Sequence, residues 1–342
     1  MKTRILRLVL ILVTIITFVT VPGMALGMAV PARDLSIASS DMQADSTPVR
    51  IRFDRGATSA VVSGNLAANS SIRYVLGALA GQLMEVQLSP TEGVRLSITT
   101  TSGRALTPLT GSSTGFRGYL PRNGDYWIEV KAGNQAVSYS LNITIPQRVS
   151  FDVGATSATL TGRLTAHKGL DYILRARAGQ LLDIEITPAN SVQLVIYGVD
   201  GTVLRSGMGE GSSFRGELPS SQDYLVSVRA GPQEVSYSMR VAIPRRISFQ
   251  MGAISGTEYG RLSASKSQYY VLRALKNQTM QVEITPAEGM QLIIYGADGT
   301  VLKSGMGEGA NFKGQLPSTQ DYVLLLTAGT QPVRYTLRVT IP

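Results

Sequence analysis

Side chains able to attack a carbonyl carbon set the first question. Gly111-Ser112-Ser113-Thr114-Gly115 spells the Gly-x-Ser-x-Gly pattern. That pattern has a mechanism only at a strand-to-helix elbow with a histidine to take the serine proton. Here it lies between stretches that alternate like strands, and the corresponding residues 209–213 and 307–311 lack it. The only histidine, His167, sits in a polar turn before Leu170, where the equivalent positions hold Asn69 and Ser265. It reads as a solvated turn residue, and no catalytic residue is expected.

Metal and phosphate chemistry find little more. Zinc needs several His or Cys ligands, and the chain has one His and no Cys. Calcium needs clustered oxygens. Asp183 and Glu185 share one face of a strand, but their counterparts are Glu85/Gln87 and Gln281/Glu283, the pattern of a solvent-facing strand. The same two carboxylates stand too close in sequence to flank a glycosidic bond across a cleft. The glycine-rich stretches 206–211 and 304–309 lead into no helix and lack the Lys-Ser/Thr pair of a phosphate loop. They read as loops, and loops at the end of a rigid scaffold often carry recognition. Met208, Glu210, Met306 and Glu308 are therefore the candidate recognition residues. No cofactor and no metal site are expected.

Three apolar positions complete the set. Trp127, the only tryptophan, lies at period 2 on the strand face opposite Tyr126 and Ile128. It reads either as a stacking surface for sugar or as cover over a joint between units, the joint being preferred. Val323 and Leu325 make the same face of the equivalent later strand apolar, which marks contact with a neighbouring unit or another chain. A loop of the unit's own covering that face is the plainer alternative.

The elements that must hold these residues are legible from a corner written three times: Leu120, Pro121, Asp125 and Tyr126, then Leu218, Pro219, Asp223 and Tyr224, then Leu316, Pro317, Asp321 and Tyr322. Proline cannot continue a sheet ladder, so the chain turns there. The aspartate suits the turn, and the tyrosine opens a strand whose alternate residues are apolar. The spacing of 98 residues does not slip, from Gly56, Gly154 and Gly252 to the closing pairs Ile145-Pro146, Ile243-Pro244 and Ile341-Pro342. Units of this length are domains with cores of their own, with boundaries at 49–146, 147–244 and 245–342. In the middle unit Val149 and Phe151 begin the first of eight or nine short strands with no helical stretch between them. The class is all-β: three tandem antiparallel sandwiches of jelly-roll type. Almost no linker separates one unit's last strand from the next unit's first, so the units should abut.

Lys2, Arg4 and Arg7, the apolar run from Leu8 to Val21, and small residues through Ala29 have the three parts of a secretory leader, 1–29. An anchor kept uncleaved is the alternative; with the leader removed no stable membrane span is expected. Residues 30–48, rich in small and polar types, read as a disordered tether. Export places the protein in the periplasm, at the cell surface or outside the cell. The formal charge is +9, three charges of it in the leader. What remains is spread over the units with a neutral middle one, unlike the basic patch of a nucleic-acid binder, so no nucleic acid is expected. A cell-wall polymer or a secreted protein is the expected partner.

The phrases Asp171–Gln180 and Val195–Thr202, with the Leu-Pro-x-x-x-Asp-Tyr corner, resemble bacterial pre-peptidase C-terminal (PPC) domains, small secreted β-sandwich modules appended to exported enzymes. They are also similar to the periplasmic inhibitors of goose-type lysozyme, which share that sandwich. The resemblance covers residues 49–342, once per unit. It implies a non-catalytic binding or spacer array, or alternatively an inhibitor that inserts a loop into a lysozyme cleft. The chain departs from both patterns: no catalytic domain remains beside the modules, and an inhibitor is typically a single module. Related inhibitors insert a Ser-Gly-x-Tyr loop; the nearest string here, Ser255-Gly256-Thr257-Glu258-Tyr259, has one residue too many and occurs in one unit only.

Overall fold

A computed structural model describes residues 47–107, 114–189, 191–207, 211–305 and 309–342. The expected leader, the tether up to residue 46, and Met208, Glu210, Met306 and Glu308 lie outside the described residues. Among those described there is no helix, and so none long and apolar enough to cross a membrane.

The first sandwich consists of β1 (Val49–Arg50), β2 (Ser59–Leu66), β3 (Ser71–Ala78), β4 (Leu83–Ser89), β5 (Val94–Thr100), β6 (Gly115–Tyr119), β7 (Gly124–Ala132) and β8 (Val137–Thr144). Its sheets run in the orders β1-β3-β7-β5 and β2-β8-β4-β6. The second contains β9 (Gln147–Arg148), β10 (Ser157–Leu164), β11 (Gly169–Ala176), β12 (Leu181–Thr187), β13 (Val192–Gly198), β14 (Val203–Arg205), β15 (Ser213–Glu217), β16 (Gln222–Ala230) and β17 (Val235–Ala242). Its sheets are β14-β13-β16-β11-β9 and β10-β17-β12-β15. The third repeats that plan with β18 (Arg245–Arg246), β19 (Ser255–Leu262), β20 (Ser267–Ala274), β21 (Thr279–Thr285), β22 (Met290–Gly296), β23 (Val301–Lys303), β24 (Phe312–Gln315), β25 (Gln320–Ala328) and β26 (Val333–Thr340). Its sheets are β18-β20-β25-β22-β23 and β19-β26-β21-β24.

Each core is the product of period-2 alternation in the two facing sheets. In the second sandwich Leu182, Ile184 and Ile186 of β12 meet Leu194, Ile196, Tyr224 and Val226 from the other sheet. At the centre, Tyr172 and Tyr237 join their hydroxyls across the core at 2.6 Å, and Tyr270 and Tyr335 do so at 2.8 Å in the third. Gly162 lies against that pair; a Cβ there would stand 2.7 Å from the Tyr237 hydroxyl oxygen. Glycine is the residue that permits so close an approach.

The antiparallel sandwiches expected are present, and one expectation within them is corrected. The middle unit opens with β9 on Gln147–Arg148, while Phe151 lies in the loop that follows. The chain leaves the sheet after Val149 and turns at Gly154, whose φ of +79° suits glycine. Moreover β9 runs parallel to β11, pairing Gln147 with Tyr172, as β1 and β18 do with β3 and β20, so one short parallel pair edges each otherwise antiparallel sandwich.

Candidate functional site

The corner does two things. Its tyrosine hydroxyl donates to the carbonyl four residues earlier: Tyr126 to Arg122 at 2.6 Å, Tyr224 to Ser220 at 2.7 Å, Tyr322 to Ser318 at 2.6 Å. Its aspartate belongs to the strand, not the turn, and clamps the arginine of the opening parallel strand from both oxygens. Arg148 reaches Asp223 at 3.3 and 2.9 Å, and Arg246 reaches Asp321 at 3.1 and 2.7 Å. The Arg–Asp separation of 75 residues is the same in all three sandwiches. That constant spacing is the sequence signal for the clamp, and the turn propensity of aspartate masks it.

The joints come next. Leu83, facing away from its own core on β4, packs on Ile173 and Leu225 of the second sandwich. One repeat later, Leu181 and Ala242 pack on Tyr269, Val271, Tyr295 and Val323 of the third. Val323 is fully buried there and Leu325 lies half-buried beside it. Backbone is tied across as well: the Asp171 N–H donates to the Thr58 hydroxyl and the Tyr269 N–H to that of Thr156, both at 2.8 Å.

Asp183 corrects the solvent-facing expectation, being 1% exposed within the second joint. It accepts from Arg215 at 3.0 Å, Arg240 at 3.1 Å and the Tyr295 hydroxyl at 2.9 Å. Arg215 also lies 4.2 Å from the Tyr295 ring centroid and Arg240 5.1 Å from that of Tyr269. Both contacts are within cation–π range. Burial, then the Asp183 charge, pushes the Tyr295 hydroxyl well above its ordinary value. The first joint carries a looser version, with Glu85 paired to Arg117 and Arg117 5.4 Å from the Tyr197 ring centroid. Burial, with the Glu85 charge adding to it, raises Tyr197 to about 12. At the edge of this joint Tyr119 donates to Asp223 at 2.6 Å. Burial alone would raise the Asp223 carboxyl, but hydrogen bonds from Arg148 and Tyr119 outweigh it and hold the pKa below the ordinary value.

Trp127 does not cover a joint among the described residues. It occupies on the first sandwich the place of Leu225 and Val323, but no described sandwich precedes the first. The indole is half-buried, with the Arg73 guanidinium carbon 4.9 Å from its centroid. Glu129 accepts from Ser71 at 3.1 Å and Ser97 at 3.3 Å, and stands 3.7 Å from Arg73. Arg95 and Lys131 are exposed on the same face. Aromatic surface and cations are gathered on one sheet face that no described sandwich covers, an arrangement able to hold a ligand.

The remaining sequence candidates resolve quickly. Thr114 and Gly115 lead into β6, while 111–113 lie outside the described residues. His167 is exposed with φ 60°, matching Asn69 at 62° and Ser265 at 57°, and its N–H donates to the Gly231 carbonyl at 2.9 Å. Ser255–Tyr259 is not a loop but the start of β19, paired with β26 from Ser255↔Thr340 to Tyr259↔Thr336. Among the described residues no three His, Asp or Glu side chains gather as a metal site.

No protein-family model matches the chain, and no curated protein matches it. Among solved structures it is similar to the periplasmic inhibitor of g-type lysozyme from Aeromonas hydrophila, with 27% identity, 29% of this chain and 96% of that one covered, and a TM-score of 0.26. The inhibitor from Salmonella Typhimurium is similar at 26% identity, covering 30% of this chain and 99% of that one, with a TM-score of 0.25. A triple-jelly-roll protein of an archaeal virus is similar at 12% identity, covering 83% of this chain and 90% of that one, with a TM-score of 0.19.

Proposed function

We propose that the chain is an exported, non-catalytic binding or spacer protein built from three PPC-like modules, 49–146, 147–244 and 245–342. It works at the cell envelope or outside the cell, after loss of a leader over 1–29, with 30–48 as a tether. One observation carries this reading: both joints interlock through apolar, aromatic and ion-paired side chains, while no sandwich among the described residues covers the cationic Trp127 face of the first module. Fixed modules behind one open face suit a protein that holds something at a distance. The partner is a cell-wall polymer or a secreted protein.

The test is retention of the mature chain on insoluble peptidoglycan and on immobilised goose-type lysozyme. Retention on peptidoglycan supports a polymer binder, and retention on neither leaves a spacer. The alternative, a lysozyme inhibitor acting by loop insertion, rests on the resemblance of the sequence phrases. It predicts tight one-to-one capture by the lysozyme, through a loop other than the paired strand Ser255–Tyr259.

A further inference from the structure

We propose that the open outer face of the first sandwich binds an acidic glycan strand, with Trp127 as the stacking surface and Arg73, Arg95 and Lys131 as the anion contacts. This rests on the reading of the chain as a binding protein and names the surface and the ligand class.

The repeat supplies its own comparison. On the same three positions of the same face, the second sandwich has Ile173, Leu225 and Tyr197, and the third has Val271, Val323 and Tyr295; all six serve the joints. The first has Val75, Trp127 and Thr99. A face needing only to meet water would hold small polar groups where Leu225 and Val323 stand. It holds instead the one tryptophan of the chain.

The charges differ in the same direction. Arg73, Arg95 and Lys131 project from this face, and the Glu129 carboxylate among them is engaged by Ser71, Ser97 and Arg73. Where Arg95 stands the other sandwiches have Gln193 and Gln291, and where Arg73 stands they have Asp171 and Tyr269. Two of the three cations therefore belong to this face alone, although the fold is the same.

The geometry joins both features. With the guanidinium 4.9 Å from the indole centroid, apolar ring and N–H donors form one surface. The guanidinium lies over the ring, so a sugar lays its C–H face on the uncovered part of the indole and its carboxylate meets the N–H donors at the guanidinium edge. Arg95 and Lys131, on neighbouring strands β5 and β7, extend the cationic track for further acidic units. A half-buried indole with cations on its own and the neighbouring strands suits a strand-shaped polar polymer.

Because Trp127 is the only tryptophan, its fluorescence reports this face directly. The full chain is titrated with polygalacturonate, neutral dextran and inorganic polyphosphate, with co-sedimentation on peptidoglycan run in parallel. Polygalacturonate should change the Trp127 emission saturably, dextran should not, and raising salt to ~1 M should weaken binding about tenfold. R95Q/K131Q should weaken it by a similar factor of about ten. W127L, which installs the residue that position holds in the second sandwich and so keeps the fold, should lose retention in the sedimentation assay. Polyphosphate acting as well as polygalacturonate overturns the glycan assignment. Retention with silent Trp127 emission overturns the site and leaves the binding function standing; retention by no polymer overturns the site and the polymer partner, and leaves the protein-binding and spacer readings.

Discussion

Asp183 concentrates the chemistry of the second joint in one carboxylate. It is 1% exposed and answers two guanidiniums and a phenol, so its removal takes the carboxylate partner from Arg215 and leaves Arg240 with the exposed Glu185. Breaking one partner of a buried ion pair costs about 3 kcal/mol, and D183N should lose stability of that order in urea unfolding of the full chain. The first joint dictates an alkaline response. Tyr197 and Tyr119 are each raised from 10.0 to about 12, burial first among the causes. Between pH 10 and 12 the unfolded chain therefore gives up these protons while the folded chain keeps them, so stability is full below pH 10 and falls as pH rises through that window. Thermal melts from pH 9 to 12 should show the fall, and Y197F should reduce its slope. Period-2 reading correctly turned Asp183 away from its own core. It could not reveal that a second sandwich covers that side, because alternation records where a strand faces and not what arrives there.

Strands were the most legible level. The middle unit's alternation places β12 at Leu181–Thr187, and the tight turn at Asp200–Gly201 separates β13 from β14. What alternation missed has the opposite character: two-residue strands too short to alternate, and the arginine–aspartate clamp that locks each to a partner 75 residues away. The corner is where the two levels meet. Its proline ends the ladder, and the tyrosine hydroxyl, bonded to the Ser220 carbonyl at 2.7 Å and accepting from the Ser220 N–H at 3.2 Å, gives the bend its shape. Tyr224 is fully buried, so Y224F keeps the ring packing and removes only those bonds. The expected loss is about 1–2 kcal/mol, measured by chemical unfolding, with the sheets intact by circular dichroism.

The joints bear on the whole molecule because they are heterologous: one sandwich offers a plugging face and the next a receiving face. The two faces left uncovered at the ends of the described array are changed against that use. The third sandwich has Thr279, Gln281 and Lys313 where Leu181, Asp183 and Arg215 make the plug, and the first has Arg73 and Thr99 where Tyr269 and Tyr295 receive it. Bringing a second copy's end face onto the first sandwich would also set Arg338 opposite Arg73, as Arg240 is set opposite Tyr269. The 342-residue chain should therefore run as a monomer in light scattering at every concentration tried. The middle sandwich is different, since residues 147–244 carry both faces in working form. Leu181 would meet Ile173 and Leu225 of the next copy, Asp183 and Arg215 would meet Tyr197, and Arg240 would find the Asp171 carboxylate. A head-to-tail contact that does not close on itself grows without limit, so this fragment should form assemblies that lengthen with concentration. L181E, which puts a charge at the centre of the contact, should return it to a monomer. A folded fragment that stays monomeric near millimolar concentration would mean the joints hold only because the chain tethers their partners.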